Sequence, residues 1–376
     1  MRSAAGLRPP TTWTRDSLTL EDLGWNDFFA ASFAPYAAQG LVPGRVVAQR
    51  GLNSVSTGEE EFYADLAGKL RHELKIPGSG MGYPAVGDWV AVRPPTGTGR
   101  ALIHAILPRK SRFSRKVAGQ KTEEQVVAAN VDTIFLVSGL DGDFNPRRIE
   151  RYLTGAWDSG ANPVVVLNKL DRCNDPERCL LETEAIAMGV PVHRVSALTG
   201  ENVEELSTYV LPGQTVSFLG SSGVGKSTLI NRLLGREIQK TGEVREGDDR
   251  GRHTTTHKEL FVAPTGGLLI DTPGLREIQL WEGDQGIESA FADVEELAEG
   301  CRFGDCRHQG EPGCAVEEAV ASGELPAERL ESYRKLQREL HQIHLKQDEL
   351  ARLQEKKKNK VIHKALRDID KLKGRT

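Results

Sequence analysis

The 376-residue sequence predicts an α/β domain with a small β-barrel before it and a helical, metal-binding segment after it. Between residues 117 and 288, continuously apolar runs alternate with helical stretches, as expected for strands buried on both faces of a mostly parallel sheet. Between 40 and 116, short strand-like runs are separated by turns that contain Gly or Pro. Between 289 and 350, three cysteines and a histidine interrupt an otherwise helical pattern.

The composition restricts where the protein works and what it binds. A net charge of −4 excludes a protein that binds polyanions over its whole surface, so any contact with nucleic acid must be regional. Residues 1–10 lack the apolar stretch of a signal peptide, and we find no run of about 18 apolar residues that would form a transmembrane helix. Five cysteines, an odd number, favour a metal site over a disulfide framework. We therefore expect a cytoplasmic protein without a membrane segment.

The N-terminal third of the chain contains an arm and the predicted barrel. Residues 1–39 are interpreted as a partly mobile arm without a motif of its own, with a short helix near Glu21–Ala31. Residues 40–116 hold four or five short strands, a number that suits an OB-fold. The strand-like runs are Gly44–Gln49, Glu61–Leu66, Asp88–Val92 and Ala101–Ile106.

The α/β domain is predicted over 117–288. Its apolar strands include Thr133–Val137, Pro163–Leu167, Thr215–Leu219 and Gly267–Ile270, and helices such as Pro146–Ala156 and Ser227–Leu234 lie between them. Residues 289–350 are predicted to form a helical zinc-binding domain. A Lys-rich tail over residues 351–376 follows it.

The strongest motif is Gly220–Ser227, whose sequence GSSGVGKS matches the phosphate-binding loop GxxxxGK[ST] in full. It follows an apolar strand and precedes a helix, which is the context that this motif requires. Backbone N–H groups would surround phosphate oxygens, Lys226 would reach the β- and γ-phosphates, and the Ser227 hydroxyl would bind Mg²⁺. The residues predicted to bind nucleotide here are Gly220, Ser221, Ser222, Gly223, Val224, Gly225, Lys226, Ser227 and Thr228.

The loop alone leaves ATP and GTP open, and the segment NKLD, residues 168–171, favours GTP. It lies at the carboxyl end of a predicted strand, where ligands of α/β sheets bind. The Asp171 carboxylate can accept both donors on the N1 and N2 edge of guanine, which adenine does not offer. Asn168 would contact the opposite edge of the base, and the stem of Lys169 would cover it. Two residues of a later SAL segment would contact the guanine oxygen through their backbone: Ser196 and Ala197.

The segment DTPG, residues 271–274, supplies the second half of a magnesium and γ-phosphate site. Asp271 would hold Mg²⁺ through water, and the amide of Gly274 would sense the γ-phosphate. One of the three threonines at 254–256 would bind Mg²⁺ directly. The pattern does not decide which, and we take Thr255 as the ligand.

The residue that orients the attacking water is less evident from the motifs. Many GTPases place a Gln directly after DxxG, but here Leu275 stands in that position and cannot orient water. The segment GRHTTTH, residues 251–257, offers His253, whose near-neutral pKa suits the task. The alternative is that His253 is an exposed loop histidine without a catalytic role.

The order of the motifs indicates a circular permutation. GTPases usually run from the phosphate loop through the switch threonine and DxxG to NKxD and SAx. Here NKLD and SAL come first, and the phosphate loop, the threonines and DTPG come last. The fold class is therefore a circularly permuted P-loop GTPase domain. The permutation places the segment after Gly274 directly before the C-terminal domain, so the γ-phosphate can act on that domain.

The Cys/His cluster supplies three thiolates and one imidazole, a donor set that suits a closed tetrahedral Zn²⁺ site. Its ligands are Cys301, Cys306, His308 and Cys314. The alternative is a group of free buried cysteines. Cys173 and Cys179 lie in a separate loop and are interpreted as ordinary thiols.

Two basic segments, Arg109–Lys116 and Lys356–Lys360, are each more typical of a solvated face than of a nucleic-acid site. Together with an OB-like domain and a zinc site, however, they favour RNA.

The permuted order, the sequences GSSGVGKST, GRHTTTH and DTPG, and the Cys/His spacing together resemble the ribosome small-subunit-dependent GTPase A family (RsgA, also called YjeQ), over about residues 40–350. The resemblance implies an OB-fold, a permuted GTPase domain and a C-terminal zinc domain. It also implies a protein that acts late in 30S maturation, binds 16S rRNA near the decoding region and hydrolyses GTP to GDP faster on the 30S particle. In that family the histidine before the switch threonines, here His253, is taken as catalytic.

The expected protein is a monomeric GTPase with one Zn²⁺ per chain and Mg²⁺ bound with GTP. A nucleotide-dependent rRNA-binding module, in which hydrolysis is only a release timer, is the rival interpretation. An ATP-dependent kinase is disfavoured by NKLD.

Overall fold

The computed structural model describes residues 18–76, 82–97, 99–116, 124–237, 258–271 and 284–341. Predictions that concern His253, Thr255, Gly274, Leu275 and the basic tail fall outside the described residues. The described residues form two compact units. Residues up to Arg115, together with those from Glu124 to 271, form the first unit, and Lys116 with residues 284–341 forms the second.

The first helix, α1 (Asp27–Ala37), begins later than the sequence suggested. Asn26 caps it by accepting a hydrogen bond from the Phe28 amide, which fixes its first turn. The residues before it pack against the protein instead of continuing the helix, since Leu23 is fully buried. The ring of Trp25 lies 4.7 Å from that of Trp89 in the barrel. Residues 18–37 are thus packed against the barrel, and the predicted partial mobility of the arm stays a prediction.

Five strands form the predicted barrel. They are β1 (Val42–Gln49), β2 (Asn53–Ser56), β3 (Glu61–Leu66), β4 (Trp89–Arg93) and β5 (Ala101–Ile106), with α2 (Gly68–Glu73) after β3. They pair in the order β1-β2-β3-β5-β4, and β4 closes the barrel by pairing with β1. Only β3 and β5 run parallel. Closure lets the inward-facing side chains of all five strands share one core.

A two-stranded ribbon follows the barrel, formed by β6 (Arg112–Lys116) and β7 (Glu124–Ala129). The basic run Arg109–Lys116 extends into β6, and part of it is engaged in the fold. Arg109 donates to both carboxylate oxygens of the buried Asp88, at 2.7 Å each. Lys110 lies over the rings of Phe28 and Phe29. Arg109 is thus paired within the barrel, whereas Lys110 lies at the surface against α1.

Among the described residues, the α/β sheet has six strands: β8 (Thr133–Gly139), β9 (Asn162–Asn168), β10 (Val192–Arg194), β11 (Thr215–Leu219), β12 (Lys258–Val262) and β13 (Leu268–Asp271). Their spatial order is β10-β9-β8-β11-β13-β12, and all neighbours are parallel except β12 and β13. The helices α3 (Pro146–Ser159), α4 (Pro176–Glu184) and α5 (Lys226–Leu234) connect strands.

This topology confirms the circular permutation. The strand before the phosphate loop, β11, lies in the middle of the sheet, but three strands precede it in the chain. The chain enters the sheet at β8 and leaves it at β13, whereas the order of the strands in space stays that of an unpermuted GTPase. The permutation therefore changes where the chain begins and ends without moving the strand ends that carry the motifs.

The barrel and the α/β sheet join edge to edge. Strand β1 pairs with β12 in antiparallel register, with Ala48 opposite Glu259. Arg50 at the end of this barrel strand reaches Glu259 across the seam, with 2.5 Å between Nη2 and Oε2. On the far side of β12, Glu259 lies opposite Asp271. Two successive strand pairings, β1 with β12 and β12 with β13, thus connect the barrel to Asp271.

The second unit is helical, as expected. It contains α6 (Asp284–Ala290), α7 (Ala292–Ala298), α8 (Ala315–Ser322) and a helix over 327–341. Arg329 ties these helices together, since its guanidinium donates to both oxygens of Asp293 and lies 4.2 Å from the centroid of the Phe291 ring.

Among the helices that the structure describes, none has the length and apolar character needed to cross a membrane.

Candidate active site and metal centre

The phosphate-binding loop connects β11 to α5 at the carboxyl end of the sheet. Gly225 directly precedes the helix with φ of +97°, and a Cβ there would lie 2.2 Å from Nδ2 of Asn168. Only glycine fits this position, because its backbone conformation and the close approach both exclude a side chain. Lys226, Ser227 and Thr228 form the first turn of α5, so the amides of the helix N-terminus point toward the loop.

Lys226 folds over the loop that precedes it. Its Nζ donates to the carbonyls of Gly220 at 2.7 Å and Ser221 at 2.6 Å. These bonds hold a positive charge at the mouth of the loop, together with the partial positive charge of the helix N-terminus. The arrangement suits an anion such as a phosphate chain.

Asn168 joins three of the predicted motifs through one side chain. Its Nδ2 donates to the Val224 carbonyl at 2.7 Å, and its Oδ1 accepts from the Ala197 amide at 2.9 Å. The side chain is buried, and these two bonds fix the distance between the phosphate loop, NKLD and SAL. The predicted contact of Asn168 with the base stays a prediction. In this structure its amide connects the loops that would surround the base.

Asp171 is exposed and is oriented by Ser196, whose hydroxyl donates to its Oδ1 at 2.5 Å. Lys169 adopts a left-handed backbone conformation with φ of +67°, which turns the chain sharply after β9. The turn places the Asp171 carboxylate beside the segment that begins at Ser196. The two predicted guanine-reading segments are therefore together, and one carboxylate is held in a fixed orientation for a base edge.

Three polar residues next to this site carried no motif signal. Asp141 and Asp143 lie in the loop between β8 and α3, and Arg148 lies in the first turns of α3. Asp141 accepts a hydrogen bond from Nζ of Lys169. Burial opposes ionisation of Asp141, but this bond and the neighbouring backbone amides outweigh it and lower its pKa. The sequence does contain one feature that could have identified the two carboxylates: both follow the carboxyl end of a buried strand.

Asp271 ends β13, the strand parallel and adjacent to β11, so it and Ser227 belong to the same edge of the sheet. A carboxylate and a hydroxyl are oxygen donors of the kind that Mg²⁺ prefers. The other residues predicted for this half of the site fall outside the described residues.

The metal centre lies in the second unit. The ligand atoms of Cys301, Cys306, His308 and Cys314 all lie within 4.8 Å of one another. The Sγ atoms of Cys301 and Cys314 are 3.9 Å apart, and Nδ1 of His308 is 3.6 and 3.4 Å from them. Zinc–sulfur bonds of about 2.3 Å in a tetrahedron would place sulfurs about 3.8 Å apart. The cluster thus has the donors and spacing for one zinc ion.

The surroundings of the cluster fit a cation as well. Burial lowers the pKa of His308, which keeps the imidazole neutral as a metal ligand must be. Burial raises the pKa of Cys314 to about 11, so this thiol gives up its proton only when a nearby positive charge compensates. For Cys301, burial acts in the same direction, but hydrogen bonds from the amides of Val316 and Ala315 prevail and lower the pKa.

Comparison with known proteins identifies the family. The RsgA GTPase family model matches residues 106–281. A protein of Opitutus terrae named small ribosomal subunit biogenesis GTPase RsgA is 46% identical over 368 residues, which cover 95% of this chain and 100% of that protein. The chain belongs to the RsgA GTPase family. RsgA-family membership makes it a GTP-hydrolysing enzyme, as the phosphate loop and NKLD predicted.

Solved structures agree with the RsgA-family fold. YjeQ from Thermotoga maritima matches with a TM-score of 0.59 and 30% identity, over 80% of this chain and 98% of that one. YloQ, described as a circularly permuted GTPase, matches with a TM-score of 0.54 and 22% identity, over 80% of this chain and 96% of that one. The second likeness supports the fold alone.

Proposed function

We propose that this GTPase acts late in maturation of the small ribosomal subunit and that the 30S particle stimulates its hydrolysis of GTP. The protein is a ribosome-biogenesis GTPase. The observation that carries this is the relative of that name, which is 46% identical and matches over its entire length. The rival interpretation, a module in which hydrolysis is only a timer for release, is not favoured by these relatives, since they are named as GTPases.

In the proposed site, the loop residues 220–228 bind the phosphates, and Lys226 reaches the β- and γ-phosphates. Asp171 reads the guanine N1 and N2 edge, while Lys169 and the backbone at Ser196 and Ala197 support the base. The ordered position of the Asp171 carboxylate supports this role, because Ser196 holds one of its oxygens.

Magnesium would be held by Ser227 and Thr255, with Asp271 acting through water, and would neutralise charge on the β- and γ-phosphates. The amide of Gly274 would sense the γ-phosphate. His253 would orient the attacking water, because Leu275 cannot. The zinc centre takes no part in these roles. It would hold the C-terminal domain together.

The division into an N-terminal arm (1–39), OB-fold (40–116), GTPase domain (117–288), zinc domain (289–350) and basic tail (351–376) gives the protein two RNA-facing parts around one catalytic domain. We propose that the barrel and the zinc domain contact 16S rRNA while the protein is a monomer in the cytoplasm. RNA contacts of the barrel would use cations other than Arg109, since that residue is paired with Asp88.

The test measures GTP turnover with and without purified 30S subunits. We expect stimulation by at least about tenfold, because a partner that orders the switch segments supplies transition-state contacts that the free protein lacks. Purified 50S subunits are the control and should leave the rate unchanged. Equal rates with and without 30S particles would exclude the proposed function and leave only the GTPase activity.

A change of Asp171 to Asn tests the guanine assignment. The amide presents an N–H group to one of the two guanine donors, and the unpaired donor should cost roughly 1–3 kcal/mol, or about 5–150-fold in GTP affinity. The same variant should gain affinity for xanthosine triphosphate, which carries a carbonyl where guanine has its amino group.

Calorimetry with GTP, ATP and the xanthine nucleotide measures these affinities. Glu177→Gln, which changes a carboxylate whose side chain is 71% exposed, is the control. Equal affinity of the unchanged protein for GTP and ATP would refute the assignment.

A further inference from the structure

The loop between β8 and α3 connects two parts of the nucleotide site that belong to different motifs. Asp141 accepts from Lys169 of NKLD, and Asp143 accepts from the Ser221 hydroxyl of the phosphate loop at 2.6 Å. Arg148 completes the second contact, since its Nη1 lies 2.7 Å from Oδ2 of Asp143 and 2.9 Å from Oγ of Ser221.

The donors and acceptors of this triangle permit one arrangement. A guanidinium only donates and an ionised carboxylate only accepts, so the Ser221 hydroxyl accepts from Arg148 and donates to Asp143. With the hydroxyl in this direction, each of the three hydrogen bonds has one donor and one acceptor. The start of α3 fixes Arg148, because the side chain of Asn145 caps the helix by accepting from the Arg148 amide. Ser221 is therefore held by groups that a cap and a short loop position.

Ser221 passes this constraint to Lys226. Its backbone carbonyl accepts from Nζ of Lys226 at 2.6 Å, while its side chain is held by Asp143 and Arg148. A shift of Ser221 would move the carbonyl and, with it, the ammonium group. The ion pair itself stabilises the fold little, since Arg148 and Asp143 have side chains that are 32% and 39% exposed. We therefore expect the ion pair to affect the placement of Ser221 and Lys226 more than the stability of the fold.

We propose that Asp143 and Arg148 are positioning residues of the GTPase reaction, which act through Ser221 on the placement of Lys226 without touching the nucleotide. The inference rests on the proposed contact of Lys226 with the phosphates. If the triangle is broken, Lys226 remains present and still binds phosphate in the ground state. It is then less well placed at the oxygens where charge develops, so kcat should fall while KM changes little.

The test compares basal kcat and KM for GTP among Asp143→Asn, Arg148→Gln and Ser221→Ala. Each should lower kcat by about tenfold and change KM by less than about twofold. The double variant D143N/R148Q should be no slower than either single variant, because the groups act as one unit. The control is Arg178→Gln, which removes an exposed ion pair on α4 and should have no effect.

Two outcomes would overturn the inference: unchanged kcat in all three single variants, or losses that add in the double variant and accompany a lowered melting temperature. Lys226→Ala separates this from failure of the site assignment. If that variant binds GTP as the unchanged protein does, the phosphate role of Lys226 is wrong and the positioning role falls with it. If Lys226→Ala loses affinity while the triangle variants turn over normally, only the inference is wrong.

Discussion

Replacing Cys306 by Ser is expected to release the proposed zinc ion and to unfold much of the second unit. Metal binding is folding energy in small domains of this kind, about 10–16 kcal/mol for zinc-finger peptides. Even a loss of about 3 kcal/mol would lower the melting temperature of a unit of this size by about 10–20 °C. Burial of His308 and Cys314 increases the effect, because without the ion their polar atoms face each other in a closed site.

Atomic absorption on the purified protein should find one zinc per chain in the unchanged protein and much less in the variant, and thermal unfolding measures the cost. Cys173→Ser is the matched control, since this thiol lies in the first unit and outside the cluster. It should keep both the zinc and the melting curve. An unchanged protein that contains no metal, or that melts identically after chelation, would contradict a structural zinc site.

The strands of the α/β sheet were predictable because burial on both faces requires uninterrupted apolar residues. Thr215–Leu219 matches β11 in full, and the other apolar strands that were predicted differ at their ends. Strand β12 was not predicted. Its place depends on pairing with β13 on one side and the barrel on the other, and its central burial results from these partners more than from its own sequence. Helix α1 was misplaced because the cap at Asn26 and the packing of Trp25 compete with helical continuation.

The residues of the site divide in the same way. Linear motifs identified the phosphate loop and NKLD, because each places several groups around one ligand from a short segment. Linear motifs could not identify Asp143 and Arg148 as site residues. Their contact with Ser221 exists only because β8 and β11 are neighbours in the sheet. The double use of the Asn168 amide has the same origin. Sequence order does not show that the phosphate loop and SAL lie on either side of the Asn168 side chain.

His253→Ala and Lys226→Ala are expected to separate catalysis from binding. Lys226 contacts phosphate in our proposal, so its loss should weaken GTP binding by about 10–150-fold, as for a hydrogen bond to a charged group. In the same proposal His253 contacts only the attacking water, so its loss should change GTP affinity by less than about twofold. It should lower the 30S-stimulated kcat by about 100-fold or more, the usual contribution of a general acid–base group. His257→Ala, in the same segment, is the control.

The reason for a selective loss lies in the permutation. The chain leaves the sheet at Asp271 and runs on to the second unit, while β12, which follows the threonine segment, pairs with the barrel. The two chain segments that flank the γ-phosphate in a GTPase thus lead to β12, which pairs with the barrel, and to the second unit. We propose that the barrel and the second unit each contact rRNA. A ribosomal particle that contacts both domains would hold both segments and bring His253 onto the water. Without the particle, we expect slow hydrolysis with or without the histidine. Nucleotide affinity and 30S-stimulated turnover, measured for both variants, test this. Full stimulated turnover in His253→Ala would mean that another group orients the water, whereas a loss of GTP affinity would make the histidine a binding residue.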